Sequence, residues 1–452
     1  MNSQVSILTA LAGVLTLVAC AEQGQPPDLV SEAPYAADSG TLLIHCGALI
    51  DGVSDKIAGP TVILVEDGRI KLLAAEVEAA TGIATLDLSD RTCLPGFIDM
   101  HTHIMESVDD LANLRAVFDH SFDEVMSTGR RLANVTLNIG ITTVRNVGVY
   151  YGWTGRELRD EINGGKTIGP RMQVAGFYLT IPAGGGDLII PGIPEADTPL
   201  PLRQGVARGA AVFREKAQAA VDGGADVLKI IASGAVLSYG GVPAEPEMTP
   251  EEIAAVVEVG HAAGLRVTAH AHGTQSIKES ILAGVDSIEH ATYIDDEGIR
   301  LAIERDVPLS MDIFAGDWMM IEGKKRGWPE EFLRKTDETT LAQRESFKRA
   351  YDAGVPLVFG TDAGIYPHGM NTQQFASMVE WGMTEMEAIK AATSVAAHYL
   401  GWDDQIGMIR PGYYADIVAV EGNPLSDITV LEHVDTVIKG GLVFKAPADR
   451  VQ

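Results

Sequence analysis

Six residues with metal-binding or proton-transfer chemistry fall at or near the ends of apolar runs. His101 and His103 follow Leu94-Pro95-Gly96-Phe97-Ile98-Asp99-Met100. Along a strand, residues two apart share a face, so both imidazoles can reach one metal ion. Lys229 lies inside Val227-Leu228-Lys229-Ile230-Ile231, where an unpaired ammonium is very costly. His270 closes Val267-Thr268-Ala269-His270, His290 closes Ile288-Glu289-His290, and Asp362 closes Phe359-Gly360-Thr361-Asp362. Taken singly, each has a plainer use. Histidines fill cores, a lysine snorkels to a rim or pairs with a carboxylate, and an aspartate between glycines turns the chain. Their chemistry becomes specific only if the fold gathers them.

The elements that would gather them can be read from the apolar pattern. Strand-like runs at 96–99, 142–147, 172–176, 226–231, 266–272, 287–291, 308–313 and 356–360 alternate with longer helical stretches. That rhythm predicts an α/β fold, a (β/α)8 TIM-like barrel over 95–405. In such a barrel the C-terminal strand ends converge on one mouth, which makes the six residues neighbours. Short apolar runs broken by turns at 42–45, 61–65, 70–74 and 85–88 recur in the tail at 416–420, 436–439 and 442–445. The two chain ends, 41–94 and 406–446, are therefore expected to pair into a small β-sandwich domain.

The chain has 452 residues, with 62 acidic against 34 basic side chains and a net charge of −28. Nucleic-acid binding is excluded on that balance, because it rests on Lys and Arg meeting phosphate. With 46% hydrophobic and 21% charged residues the composition is that of a folded protein. An apolar run at 5–19 is too short to span a membrane comfortably and ends at Cys20, although residues 1–6 carry no Lys or Arg. It resembles a bacterial lipoprotein signal peptide (1–20), followed by a Pro/Ser/acid-rich tether (21–40). The expected location is exported and periplasmic, with the membrane met only through a lipid anchor on Cys20. Two cysteines remain, Cys46 and Cys93. Both read as buried apolar residues, although export permits a bridge.

On these residues the chain resembles the amidohydrolase superfamily. It is similar to the bacterial group described as Xaa-Pro dipeptidases, which includes carboxypeptidase-like and ochratoxin-hydrolysing amidohydrolases. The likeness spans about 41–444. It is carried by the two histidines at 101 and 103, Thr142-Thr143-Val144-Arg145, the Lys229, His270 and His290 segments, and Gly360-Thr361-Asp362-Ala363-Gly364-Ile365-Tyr366-Pro367-His368-Gly369. The resemblance implies two divalent ions. His101, His103 and Asp362 would hold one, and His270 and His290 the other. Lys229 would bridge them as a carbamate formed with CO2, which turns a buried cation into an anionic oxygen ligand. Such N and O donors suit Zn²⁺, with Mn²⁺ or Co²⁺ as alternatives. The implied reaction is hydrolysis of an amide bond in a dipeptide or N-acyl amino acid by a metal-bridging hydroxide, with Asp362 as proton shuttle.

Three residues are candidates for substrate contact. His272 shares the face of His270, while Arg145 and Tyr239 could receive a substrate carboxylate. A structural ion pair is the competing role for Arg145. Relatives carry a Gly-Gly-His-Gly-Asp-like segment after the third strand, whereas this chain reads Ala183-Gly184-Gly185-Gly186-Asp187 and lacks the histidine. The excursion after Ile313, with Trp318, Met319, Met320 and Trp328, fits either a lid or helix packing. His368, on the loop after Asp362, is a further candidate contact, and His398 reads as helix packing. Other readings of the same ligands are a hydrolase of lactones, cyclic amides or phosphotriesters, and a one-metal deaminase, which has no use for Lys229. A non-catalytic exported binder would not need Asp362. A homo-oligomer is compatible with all of them.

Overall fold

The computed structural model describes residues 40–76, 83–447 and 450. The expected signal peptide with Cys20, and the tether up to residue 39, lie outside the described residues. The N-terminal part forms β1 (Thr41–Leu49), β2 (Thr61–Glu66), β3 (Arg69–Ala74) and β4 (Ala84–Pro95). Asp67 and Gly68, with φ of 49° and 75°, join β2 to β3 as a two-residue hairpin whose twist suits paired antiparallel strands.

The next strands carry the site. β5 (Phe97–Thr102), β6 (Ile141–Asn146) and β7 (Arg171–Val174) form a parallel three-stranded sheet. β8 (Val227–Ile231), β9 (Arg266–Ala271), β10 (Ser287–His290), β11 (Leu309–Ser310) and β12 (Leu357–Val358) form a parallel five-stranded one. Each of the eight expected runs thus contains a strand. Every residue of β5, β6 and β8 is buried, as befits parallel strands covered on both faces. Helices connect them, two of which start with a reciprocal capping box, Ser121 with Glu124 and Thr249 with Glu252.

The fold is α/β and TIM-barrel-like, but its hydrogen-bond ladder is not one closed sheet. Two seams separate the five strands from the three. At one, Leu179 N–H donates to Lys229 O at 2.9 Å and Ile231 N–H donates to Leu179 O at 3.0 Å. At the other, Met100 N–H donates to Phe359 O at 2.9 Å and His103 N–H to Ala363 O at 2.8 Å. Buried Asp99 also ties this seam, accepting from Thr361 Oγ1 at 2.6 Å and Asn371 Nδ2 at 2.9 Å. The site strands are therefore held by side chains and isolated bridges where the ladder stops.

The chain ends with β13 (Ile417–Glu421), β14 (Thr436–Lys439) and β15 (Leu442–Lys445). β13 pairs antiparallel with β4, so both chain ends share one seven-stranded sheet in the order β15-β14-β13-β4-β1-β2-β3. Where a sandwich is expected from the sequence, the hydrogen bonding draws a single sheet, with its own core of Leu42, Ile44, Ile63, Leu86, Ile417 and Ile438. Cys46 and Cys93 are both buried there, but they form a disulfide, with Cα atoms 5.9 Å apart. The parallel pairing of β1 with β4 brings them together, a register that cysteine spacing does not disclose.

Candidate metal centre

Strand alternation and the loop after β12 bring the first group together. His101 Nε2 lies 3.2 Å and His103 Nε2 3.1 Å from the same oxygen, Oδ1 of Asp362. The second group comes from β9 and β10. His270, His272 and His290 place ligand nitrogens within 4.8 Å of one another, and His290, Asp312 and Asp362 form a third such set. His290 and Asp362 have φ of 71° and 59°, in the left-handed region that costs a non-glycine residue energy. Backbone strain of this kind concentrates at functional sites. Gly360 makes the approach possible, because a Cβ there would stand 2.0 Å from Ser310 Oγ.

Lys229 sits among these groups. It is 1% exposed, lines the same cavity, and its Nζ has no hydrogen-bond partner among the described residues. Burial outweighs the neighbouring carboxylates of Glu289 and Asp362 and lowers the amine to about 8. The orphaned, buried nitrogen of Lys229 stands amid imidazoles and carboxylates that could hold a metal ion. The donor set fits. Burial, and after it repulsion from His290, hold His270 and His272 well below the usual imidazole range, favouring the neutral form that metal ligation requires. Burial opposes ionisation of Asp362, yet His101 and His103 hold its carboxyl well below the ordinary range.

Surrounding polar groups fix how these ligands point. His290 Nδ1 lies 2.8 Å from Asp312 Oδ1, which also accepts from Gln343 Nε2 at 2.8 Å. His103 Nδ1 lies 2.9 Å from the Tyr178 hydroxyl and 3.2 Å from Gly148 O. In each case the bonded Nδ1 leaves Nε2 for a metal, the arrangement found around ligating histidines. His101 Nδ1 is 2.8 Å from Glu289 Oε2, close but poorly aligned for a hydrogen bond. Asp312, Glu289, Tyr178 and Glu106 are not singled out by the sequence. Two of them carried a signal: Glu289 and Asp312 are acids within otherwise apolar strand runs.

The candidate substrate residues separate. His272 lines the cavity, stacked on His290 with ring centroids 4.5 Å apart, and its Nδ1 lies 2.7 Å from Thr292 Oγ1. Arg145 does not line it. Its guanidinium is committed to Met100 O at 2.7 Å, Ser287 Oγ at 3.0 Å and Glu289 at 2.7 Å, so it serves as the structural ion pair. Tyr239 also lies outside the lining, packed on Phe332 at 5.0 Å. Tyr150 and Tyr178 face the cavity instead. His368 is buried behind the site, its Nδ1 2.8 Å from Thr136 Oγ1. His398 is exposed beside Asp403 rather than packed. Of the excursion after Ile313, Met319 reaches the cavity, and Trp328 is buried in the same apolar cluster as Met319.

Comparison with known proteins gives the family of the chain. The profile of the amidohydrolase family matches residues 92–443. The ochratoxinase of Aspergillus niger is 30% identical over 435 residues, covering 90% of this chain and 87% of that one. A solved Xaa-Pro dipeptidase with methionine bound in its active site superposes with a TM-score of 0.84 at 37% identity, over 90% of this chain and 100% of that one. A solved prolidase complexed with N-methylphosphonate-L-proline gives a TM-score of 0.83 at 26% identity, over the same shares. The chain belongs to the amidohydrolase family and is a hydrolase acting on carbon–nitrogen bonds.

Proposed function

We propose that the chain hydrolyses the amide bond of small dipeptides or N-acyl amino acids. His101, His103 and Asp362 would hold one divalent ion, and His270 and His290 a second, with Lys229 between them as its carbamate. The observation that carries this reading is the partnerless, buried Lys229 Nζ flanked by groups of three N and O donors. When bound, such ions polarise a carbonyl and acidify water. Asp362 accepts the proton of the attacking water on its carboxylate and returns it to the departing amine nitrogen. Asp312 and Tyr178 keep the His290 and His103 rings in one orientation throughout.

Relatives support the bond class. Names of similar proteins include an ochratoxinase, an Xaa-Pro dipeptidase and a prolidase. Nothing lining the cavity marks it as a proline pocket. Zinc is the proposed metal on donor type. Export with a lipidated Cys20 is also proposed. The Cys46–Cys93 disulfide supports export, because such bonds persist in oxidising compartments.

The test is Lys229→Met, assayed for metal content and for turnover of a dipeptide and N-acyl amino acid panel. Metal content should fall from about two ions per chain, and turnover by at least roughly the 10²–10⁴-fold typical of a lost catalytic group. Full turnover in that variant would overturn the assignment. Two bound metals in the wild type with no C–N substrate cleaved would favour lactone or phosphotriester hydrolysis.

A further inference from the structure

The lining of the cavity is lopsided in charge. Among the described residues, Lys229 is the one lysine or arginine that lines it, and the metal centre claims that residue. Neither Arg145 nor Tyr239 reaches the cavity to take a carboxylate. Gly185 also lines it but has no side chain to offer, and a Cβ there would lie 2.8 Å from the Ala235 backbone nitrogen. Among the described residues, then, no arginine and no lysine other than Lys229 lines the cavity to meet a substrate carboxylate. What the cavity presents instead is an acid, Glu106.

Glu106 follows the His103 segment and is partly buried at the cavity wall. Tyr178 donates to its Oε1 at 2.8 Å, and the same hydroxyl lies 2.9 Å from His103 Nδ1. The carboxylate is thus fixed two hydrogen bonds from a metal-ligating imidazole. No lysine or arginine ion-pairs with it among the described residues. A partly buried, pre-positioned carboxylate with no lysine or arginine beside it can receive a substrate ammonium.

The apolar space beside it supplies the rest. A second cavity, lined by Met105, Val117, Val125 and Val149 and by the mutually paired Asp110 and His120, shares Glu106, Leu111, Leu114, Tyr150 and Ile365 with the lining of the first. Glu106 stands at that junction. In an α-amino acid residue the ammonium and the side chain branch from the carbon next to the scissile carbonyl. A substrate with its carbonyl at the metal centre can therefore place its ammonium on Glu106 and its side chain in the apolar annex.

Resting on the amide-hydrolase reading above, we propose that Glu106 selects substrates with a free α-ammonium on an apolar first residue, and that the annex receives that residue's side chain. The enzyme then prefers aminoacyl amides and dipeptides to N-acyl amino acids.

The experiment compares kcat/KM on leucyl-alanine and N-acetyl-leucyl-alanine, read at the Leu–Ala bond, in the metal-loaded wild type and in Glu106→Gln. A charge-assisted contact predicts a wild-type preference for the free amine of roughly 10–100-fold. In the variant that ratio should collapse toward one, mainly through KM. Equal losses on both substrates would overturn the proposal and leave Glu106 as a support for Tyr178. A wild-type preference for the N-acetyl substrate would overturn it too, while leaving the amide-hydrolase reading intact. Cleavage of neither substrate by the metal-loaded wild type would overturn both. Leu114→Trp gives a second readout, lowering the ratio of leucyl-alanine to glycyl-alanine turnover; an unchanged ratio would remove the annex from the proposal.

Discussion

Replacing Arg145 by Met separates a structural role from a substrate-binding one. The guanidinium is 1% exposed and its partner Glu289 is fully buried. Methionine keeps much of the aliphatic volume but strands the Glu289 charge, which costs about 3–5 kcal/mol when one partner of a buried pair is lost. It also leaves the Met100 carbonyl, now bonded at 2.7 Å, without that donor, a penalty of about 1–3 kcal/mol. The two losses share one site and do not simply add, so a net destabilisation of about 4–6 kcal/mol is expected. Adding Glu289→Gln removes the stranded charge and should recover about 2 kcal/mol or more. Ser287 and Thr268 still donate to the remaining oxygen in that double variant. Urea unfolding of the metal-free proteins, followed by circular dichroism, reads these differences without metal binding interfering. A loss below about 1 kcal/mol would refute the buried-pair argument. So would a rise in KM confined to substrates bearing a free carboxylate, which would return Arg145 to the binding site.

Two further outcomes follow from features away from the metal centre. The Cys46–Cys93 bond closes a separation of 47 residues, worth about 4 kcal/mol in the chain-entropy account. The double Cys→Ala variant should lose about 2–4 kcal/mol in denaturant unfolding and keep its kcat/KM, since neither residue lines the cavity. Glu247, held by Gly185 N–H at 2.8 Å, has its carboxyl raised by burial to about 7. An acid raised on folding binds more protons when folded, so its contribution to stability is present below about pH 4.5 and is lost as pH rises to about 7. Glu247→Gln should therefore gain about 2 kcal/mol relative to wild type above pH 7 and nothing at pH 4, after allowance for partial solvent contact. A constant difference across that range of melting curves would contradict the assignment.

The alternation of apolar runs with helical stretches was legible because parallel strands buried on both faces must be apolar end to end. The interruptions were legible for the same reason. A lysine inside such a run, at 229, or a histidine closing one, at 290, carries a burial cost that something must offset. Strand period and strand order therefore nominated His101, His103, Lys229, His270, His290 and Asp362 before any coordinates, and the structure brings them to one cavity.

What remained hidden depends on distances between elements far apart in the chain. The sequence leaves Arg145 open between a carboxylate receptor and a structural ion pair, and Glu289, 144 residues away and 2.7 Å from its guanidinium, decides for the pair. Tyr178 follows β7 and Tyr239 follows β8, yet Tyr178 lines the cavity while Tyr239 packs on Phe332. The Cys46–Cys93 bond depends on the parallel register of β1 with β4. Sequence by itself determined which side chains are too costly to bury without a purpose, because that cost is local. Tertiary structure alone decided which partner offsets it, because ion pairs, hydrogen bonds and cavities form between groups that meet only when the chain has folded.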